Sequence, residues 1–217
     1  MHVLGFHNCF PESQGVKQQL MCLILFAHRV CDDYPLVVAA NRDEFHNRPT
    51  QACHYWPDYP NVLAGRDRQA GGSWMGVSRS GRFAAVTNFR DPERTAPAPR
   101  SRGELTINYL RGDLPAEQYL NAIASDPESY AGFNLLLGEG KDLWYFSNSG
   151  RQDTHKVRRL SPGIYGLSNA SLNTPWPKVQ QGKEALVEAL QGPISHTALA
   201  AVTANRQLAT ADQLDLQ

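Results

Sequence analysis

The chain has 217 residues and balanced charge, with 21 basic and 21 acidic side chains. That length suits one large domain with a substantial core. No block of like charge invites nucleic acid or anionic lipid as a partner, and no apolar run approaches bilayer-spanning length.

Residues 1–20 are mixed and aperiodic, with neither the basic start nor the apolar stretch of a signal peptide. They read as a poorly ordered extension or a mis-assigned start, ahead of a single domain over 21–217. "CLILFAHRV" is short, apolar and rich in branched residues, which predicts a buried strand. "DDYP" is a turn, and "LVVAANRDEF" begins as a second buried strand, so the two pair most simply as a hairpin. Between Asn61 and Asp91 lie three strands, with Gly71-Gly72 and "RSG" as turns.

"DPERTAPAPRS" is a proline-punctuated loop. Two helices follow, over "RGELTINYLRGD" and "PAEQYLNAIASD"; the second is opened by Pro115 in its first turn, with Ala116, Tyr119, Leu120 and Ile123 at helical spacing. "GFNLLLGEGKDLWYFSNSG" is the clearest hairpin, with "GEGKD" as its loop. "GIYGLSNA" reads as a strand, and "PWPKVQQGKEALVEALQ" as a helix with Val179, Leu186 and Leu190 on one face. Beyond Gln191 the pattern fades. Six to eight strands in adjacent hairpins and three or four helices make an α+β class with mainly antiparallel sheets.

Cys9, Cys22, Cys31 and Cys53 form no C-x-x-C pair and crowd into the first quarter. Neither a zinc site nor a disulfide framework is expected, and the reading is free thiols in a reducing, cytoplasmic compartment. The histidines show no metal-ligand spacing. "AGGSW" lacks the lysine and the strand–turn–helix setting of a phosphate loop.

Cys22 admits two readings. A cysteine in a buried strand is ordinarily an inert small hydrophobe. It follows Met21, however, and removal of that methionine would leave one residue carrying both a thiol and a free α-amine. Such an amine, with a pKa of about 7.7–8.0, acts as a base near neutrality, so nucleophile and base share one residue. The hairpin returns "NRDE" (41–44) to the start of the first strand, where a carboxylate holds the amine and a guanidinium polarises the thiol; the plain alternative is a solvated, charged turn. Asn88, Asn134 and Asn169 stand at strand ends, as turn residues or as donors to a developing oxyanion.

"MCLILFA", "LVVAANRDEF", "AGRDRQAGGSWMGV", "GRFAAVTNFRDP", "SRGEL", "YAGFNLLLG" and "YGLSNASLNTPWPKV" together resemble the NRDE (transport and Golgi organisation protein 2-like) family, in order, over about residues 21–180. The resemblance implies an N-terminal nucleophile hydrolase-like, four-layer α-β-β-α sandwich. It implies a cysteine amidohydrolase that cleaves a linear amide of a small molecule through a thioester, without a cofactor. Carried over by motif, Cys22 is the nucleophile, Asp43 orients the α-amine, Arg42 sits beside the thiol, Asn169 is an oxyanion donor and Asn88 a second one. In the amidases of this superfamily the arginine and aspartate are two residues apart, whereas here they are adjacent, so Glu44 is the alternative for the acidic place. The family begins at the methionine before the cysteine and usually continues with a further strand, so the resemblance also implies a fold incomplete at its C-terminus. Its other implication is a non-enzymatic binding or trafficking role for haem or another lipophilic ligand on the same fold.

Overall fold

The structure is a computed structural model and describes residues 22–42, 47–89, 98–149 and 156–204. The extension before Met21, the loop 90–97, Asp43, Glu44 and the weakly patterned end beyond Ala204 lie outside the described residues.

In chain order the described elements are β1 (Leu23–His28), β2 (Leu36–Asn41), β3 (Thr50–Tyr55), β4 (Val62–Asp67), β5 (Met75–Ser78), β6 (Phe83–Asn88), α1 (Gly103–Arg111), α2 (Ala116–Ala124), β7 (Phe133–Glu139), β8 (Asp142–Ser147), β9 (Arg158–Arg159), β10 (Gly163–Leu167), α3 (Pro177–Ala189) and α4 (His196–Thr203). They fall into two compact units. One holds 22–42, 162–168 and 172–204; the other holds 47–89, 98–149, 156–161 and 169–171.

The first unit is a three-stranded antiparallel sheet, ordered β10-β1-β2, with α3 packed on β1 and β10 and α4 packed on β2 and α3. Five of the six β1 residues are apolar, and all six are buried. Each Leu, Ile or Phe so buried contributes on the order of 2 kcal/mol. Phe26 stacks on Tyr165 across the sheet at 5.1 Å between ring centres. Leu25 faces α3, where two glycines make room: a Cβ on Gly182 would lie 2.6 Å from Leu25, and one on Gly166 would lie 2.6 Å from Val179. Ser195 caps α4, its hydroxyl accepting the Ala198 N–H at 3.2 Å.

The second unit is a seven-stranded antiparallel meander from β3 to β9 in sequence order. Val62, Ala64, Ala84, Val86, Leu135, Leu137 and Phe146 share one face and form a core with Leu105, Tyr109 and Leu110 of α1 and Ala116 and Leu120 of α2. Their cross-strand partners by register alternate with Phe83, Ala85, Thr87, Asn134, Leu136 and Tyr145, which occupy the other face and are also buried. Arg48 anchors the entry to β3 by donating to Asp67 from Nε at 2.8 Å. Burial opposes the charge on Asp67, but Arg48 and the Gln69 and Ala70 N–H groups outweigh it and hold the carboxyl below its ordinary range.

Gly72 meets Gly103, the first residue of α1, backbone to backbone. A Cβ on Gly72 would sit 2.4 Å from the Gly103 carbonyl carbon. No side-chain rotation relieves that clash, so Gly72→Ala is expected to cost about 3 kcal/mol, the upper range for overpacking. Urea unfolding should show it as a lowered midpoint at unchanged slope.

The α+β class and its antiparallel hairpins match expectation. Four details differ. β3 falls where no element is expected, because it is an edge strand whose residues are mostly exposed and carry no apolar alternation. β9 is a two-residue strand of exposed arginines paired to β8. The β7–β8 connection is two residues rather than five: Glu139 pairs with Asp142, and Gly140 takes φ +60°, which lets the chain reverse at once. Pro115 is the N-cap of α2 rather than a residue of its first turn.

Candidate functional site

In the first unit the candidate nucleophile stands immediately ahead of β1. Cys22 is half-buried. Alternation along the strand puts it on the face of Ile24 and Phe26, opposite Leu25 and the helices. β1 and β2 pair antiparallel, ending with Leu23 against Asn41. Cys22 precedes Leu23 and Arg42 follows Asn41, so both stand just beyond the final pair of that ladder. The hairpin therefore returns Asn41 to the start of β1, beside Leu23. Asp43 and Glu44, the two candidates for holding the amine, lie outside the described residues.

The Cys22 carbonyl accepts a hydrogen bond from the Ser168 hydroxyl at 2.6 Å. Ser168 follows β10, whose Leu167 pairs with Ile24, and is 2 % exposed. Nothing local in the sequence marks this contact, since the two residues are 146 positions apart.

The other described thiols are Cys31, which is partly exposed, and Cys53, which is exposed. Burial pushes the Cys31 thiol up, and Asp32 and Asp33 add to the rise. Burial alone raises Cys53. Both effects disfavour the reactive thiolate.

In the second unit the asparagines divide by role. Asn169 is nearly buried, and its side-chain Nδ2 donates to the Asn88 backbone carbonyl at 3.0 Å, which fixes the plane of the amide. Asn88 ends β6 and meets Asn169 through that carbonyl, while the residue itself is exposed. Asn134 is neither a turn nor a cap. It is fully buried in β7, donating to the Thr87 hydroxyl and to the Ala170 carbonyl, each at 3.0 Å, and accepting the Tyr145 hydroxyl at 2.7 Å. A buried amide engaged on both its oxygen and its nitrogen is a rigid anchor. It ties the 169–171 segment to β6, β7 and β8, a task that single-sequence spacing does not reveal.

Among the described residues no group of three or more His, Cys, Asp or Glu side chains comes together in a metal-binding set. No described helix is long and apolar enough to cross a membrane.

The chain is 37% identical over 183 residues to the mouse Transport and Golgi organization 2 homolog, covering 79% of this chain and 65% of that protein. It is 38% identical over 183 residues to the bovine homolog, with the same coverage. It thus spans about two thirds of the length of these curated relatives. Among solved structures it is similar to a Caenorhabditis elegans N-acylethanolamine-hydrolyzing acid amidase (NAAA) ortholog, at TM-score 0.60 and 8% identity, covering 85% of this chain and 86% of that one. That likeness is one of fold, and the fold is that of the N-terminal nucleophile hydrolases. The family model for Transport and Golgi organisation 2 matches residues 21–215, nearly the whole chain, and the protein belongs to that family.

Proposed function

We propose that the mature protein begins at Cys22 and is a cysteine amidohydrolase that cleaves a linear amide of a small molecule through a thioester. The observation that carries this reading is the setting of Cys22. It is a half-buried thiol just ahead of β1, its carbonyl is held by Ser168, and the hairpin with β2 closes beside it at Leu23 and Asn41, the residue before Arg42. An attacking thiol needs both partial access and a fixed origin. The shared fold with an enzyme named for hydrolysing N-acylethanolamines makes an N-acylated amine the substrate class to test first.

The cycle follows from the groups on one residue. The α-amine of Cys22 takes the thiol proton, and the thiolate sulfur bonds to the amide carbonyl carbon. The carbonyl oxygen becomes an oxyanion, for which the Asn169 amide is the proposed donor. As the tetrahedral species collapses, the C–N bond breaks and the leaving amine takes the proton from the α-ammonium. A thioester remains. The α-amine, neutral again, deprotonates water, hydroxide adds to the thioester, the C–S bond breaks to release the carboxylic acid, and the expelled thiolate takes the proton back from the α-ammonium. Arg42 is assigned the positive charge that favours the thiolate form of the sulfur. The carboxylate that orients the amine is assigned to Asp43, with Glu44 as the alternative.

Intact-mass measurement tests the reading. Protein beginning at Cys22, incubated with p-nitrophenyl hexanoate, is expected to gain one hexanoyl group, mapped to Cys22 and released by hydroxylamine as a thioester is. Cys22→Ala should take none. A Soret shift on haem titration that survives Cys22→Ala, in protein that shows no adduct, would support a carrier for a lipophilic ligand and overturn the hydrolase.

A further inference from the structure

We infer that Ser168 is a positioning residue for the nucleophile: its hydroxyl, bonded to the Cys22 carbonyl, holds the peptide plane from which both the thiol and the α-amine project. The inference rests on the proposed reading of Cys22 as the terminal residue of the mature protein.

A terminal residue has no peptide unit before it. Its orientation is set by the plane that follows it and by rotation within the residue itself. Cys22 also lies beyond the paired positions of its strand: the β2 ladder ends at Leu23 against Asn41, and the β10 ladder ends at Ile24 against Leu167. Chain ends past the last ladder pair fray. Frayed here, the base and the nucleophile would move together, away from any fixed substrate. The Ser168 hydroxyl grips the Cys22–Leu23 plane at 2.6 Å, where the ladder stops.

The grip is firm because Ser168 is itself fixed. It follows β10 directly, and β10 is closed off by Asn173. The Asn173 N–H donates to the Gly166 carbonyl at 2.8 Å, and its Oδ1 accepts the Gly166 N–H at 3.0 Å. Asn173 does this at φ 61°, a left-handed conformation that asparagine tolerates better than most residues. Lys183 of α3 donates to the same Oδ1 at 3.2 Å. Ser168 thus stands on a loop pinned at both ends to one strand, and its hydroxyl projects from a stationary base.

Geometry of this kind acts on rate far more than on stability. The Cys22 carbonyl belongs to a half-buried residue, so water replaces part of the lost bond. A displacement of about 1 Å at a reacting centre costs on the order of a hundredfold. In protein beginning at Cys22, Ser168→Ala is therefore expected to slow hexanoyl transfer to Cys22 by roughly that factor. The melting temperature should stay within a few degrees of the parent. Because the amine remains the base, the pH profile of acylation should keep its midpoint and lose height. Ser168→Thr keeps the hydroxyl and should restore most of the rate.

Parent-like acylation in Ser168→Ala overturns the inference and leaves the hydrolase reading standing. So does a slow Ser168→Thr with unchanged melting, a readout that remains if the alanine variant does not fold. A parent protein that takes no hexanoyl group at Cys22 overturns both.

Discussion

Protein that keeps residues 1–21 ahead of Cys22 is expected to lose amide hydrolysis by roughly a hundred- to ten-thousand-fold relative to protein that begins at Cys22, the range attributable to a positioned base. The two forms hold the same thiol, so the comparison isolates the amine. In the extended form the Cys22 nitrogen is an amide, which binds no proton near neutrality and can neither take the thiol proton nor activate water. Alkylation of Cys22 by iodoacetamide needs only access and some thiolate, and should proceed in both forms. In the short form hydrolysis should rise with pH as the α-amine loses its proton, around its ordinary pKa of about 7.7–8.0. The sign follows from the chemistry: the neutral amine is the base, and it prevails above that pKa. Equal hydrolysis by both forms would remove the amine from the cycle, and with it the case for a terminal nucleophile.

What could be seen of this site beforehand depended on whether a contact is local. β1 and β2 are apolar, short and joined by a turn, so their hairpin is legible, and with it the return of Asn41 to Leu23. The six- and seven-residue strands of the β7–β8 hairpin were visible for the same reason, although the turn between them was not, since only the positive φ of Gly140 tells two residues from five. β3 escaped because an edge strand with exposed side chains has no hydrophobic period to display. α4 buries only Leu199 and Val202 among its eight residues, too little for the helical pattern to stand out. The hydroxyl of Ser168 and the amide of Asn134 are harder cases. Each finds at least one partner in a distant strand or loop, and serine or asparagine beside a strand looks alike whether it faces water or anchors a loop. The role proposed for Asn169 rests on the family motif. Its bond to the Asn88 carbonyl required the fold.

Arg82→Met is expected to destabilise the protein by about 3 kcal/mol, the scale on which a buried charge network fails when one partner is removed. Arg82 precedes β6 and is almost fully buried. Its Nη1 donates to the Tyr109 and Gly112 carbonyls at 3.1 and 2.7 Å, and its Nη2 donates to those of Asp113 and Leu114 at 3.0 and 2.9 Å. Nη2 also reaches Glu139 Oε1 at 3.0 Å, while Glu139 Oε2 accepts the Ala116 N–H at 3.0 Å. The end of α1 leaves carbonyls without helical partners and carries negative dipole charge; the start of α2 presents unpartnered N–H groups and positive charge. One arginine and one glutamate answer both ends and close the short connection between the helices. Methionine keeps the apolar stem but strips the donors, leaving carbonyls desolvated. Arg82→Lys should recover only part of the loss, because an ammonium has three donors and no planar fork to span four carbonyls. Glu139→Gln should cost about 1 kcal/mol: the side chain is 38% exposed, but one of its two acceptor oxygens becomes an NH2 facing a donor. Urea midpoints read these losses globally. Amide exchange locates them: with Arg82→Met, Tyr109–Ala116 should lose protection before β6 and β7 do. A loss spread evenly over the sheet would mean that the arginine acts through the core rather than as a clamp on the two helix ends.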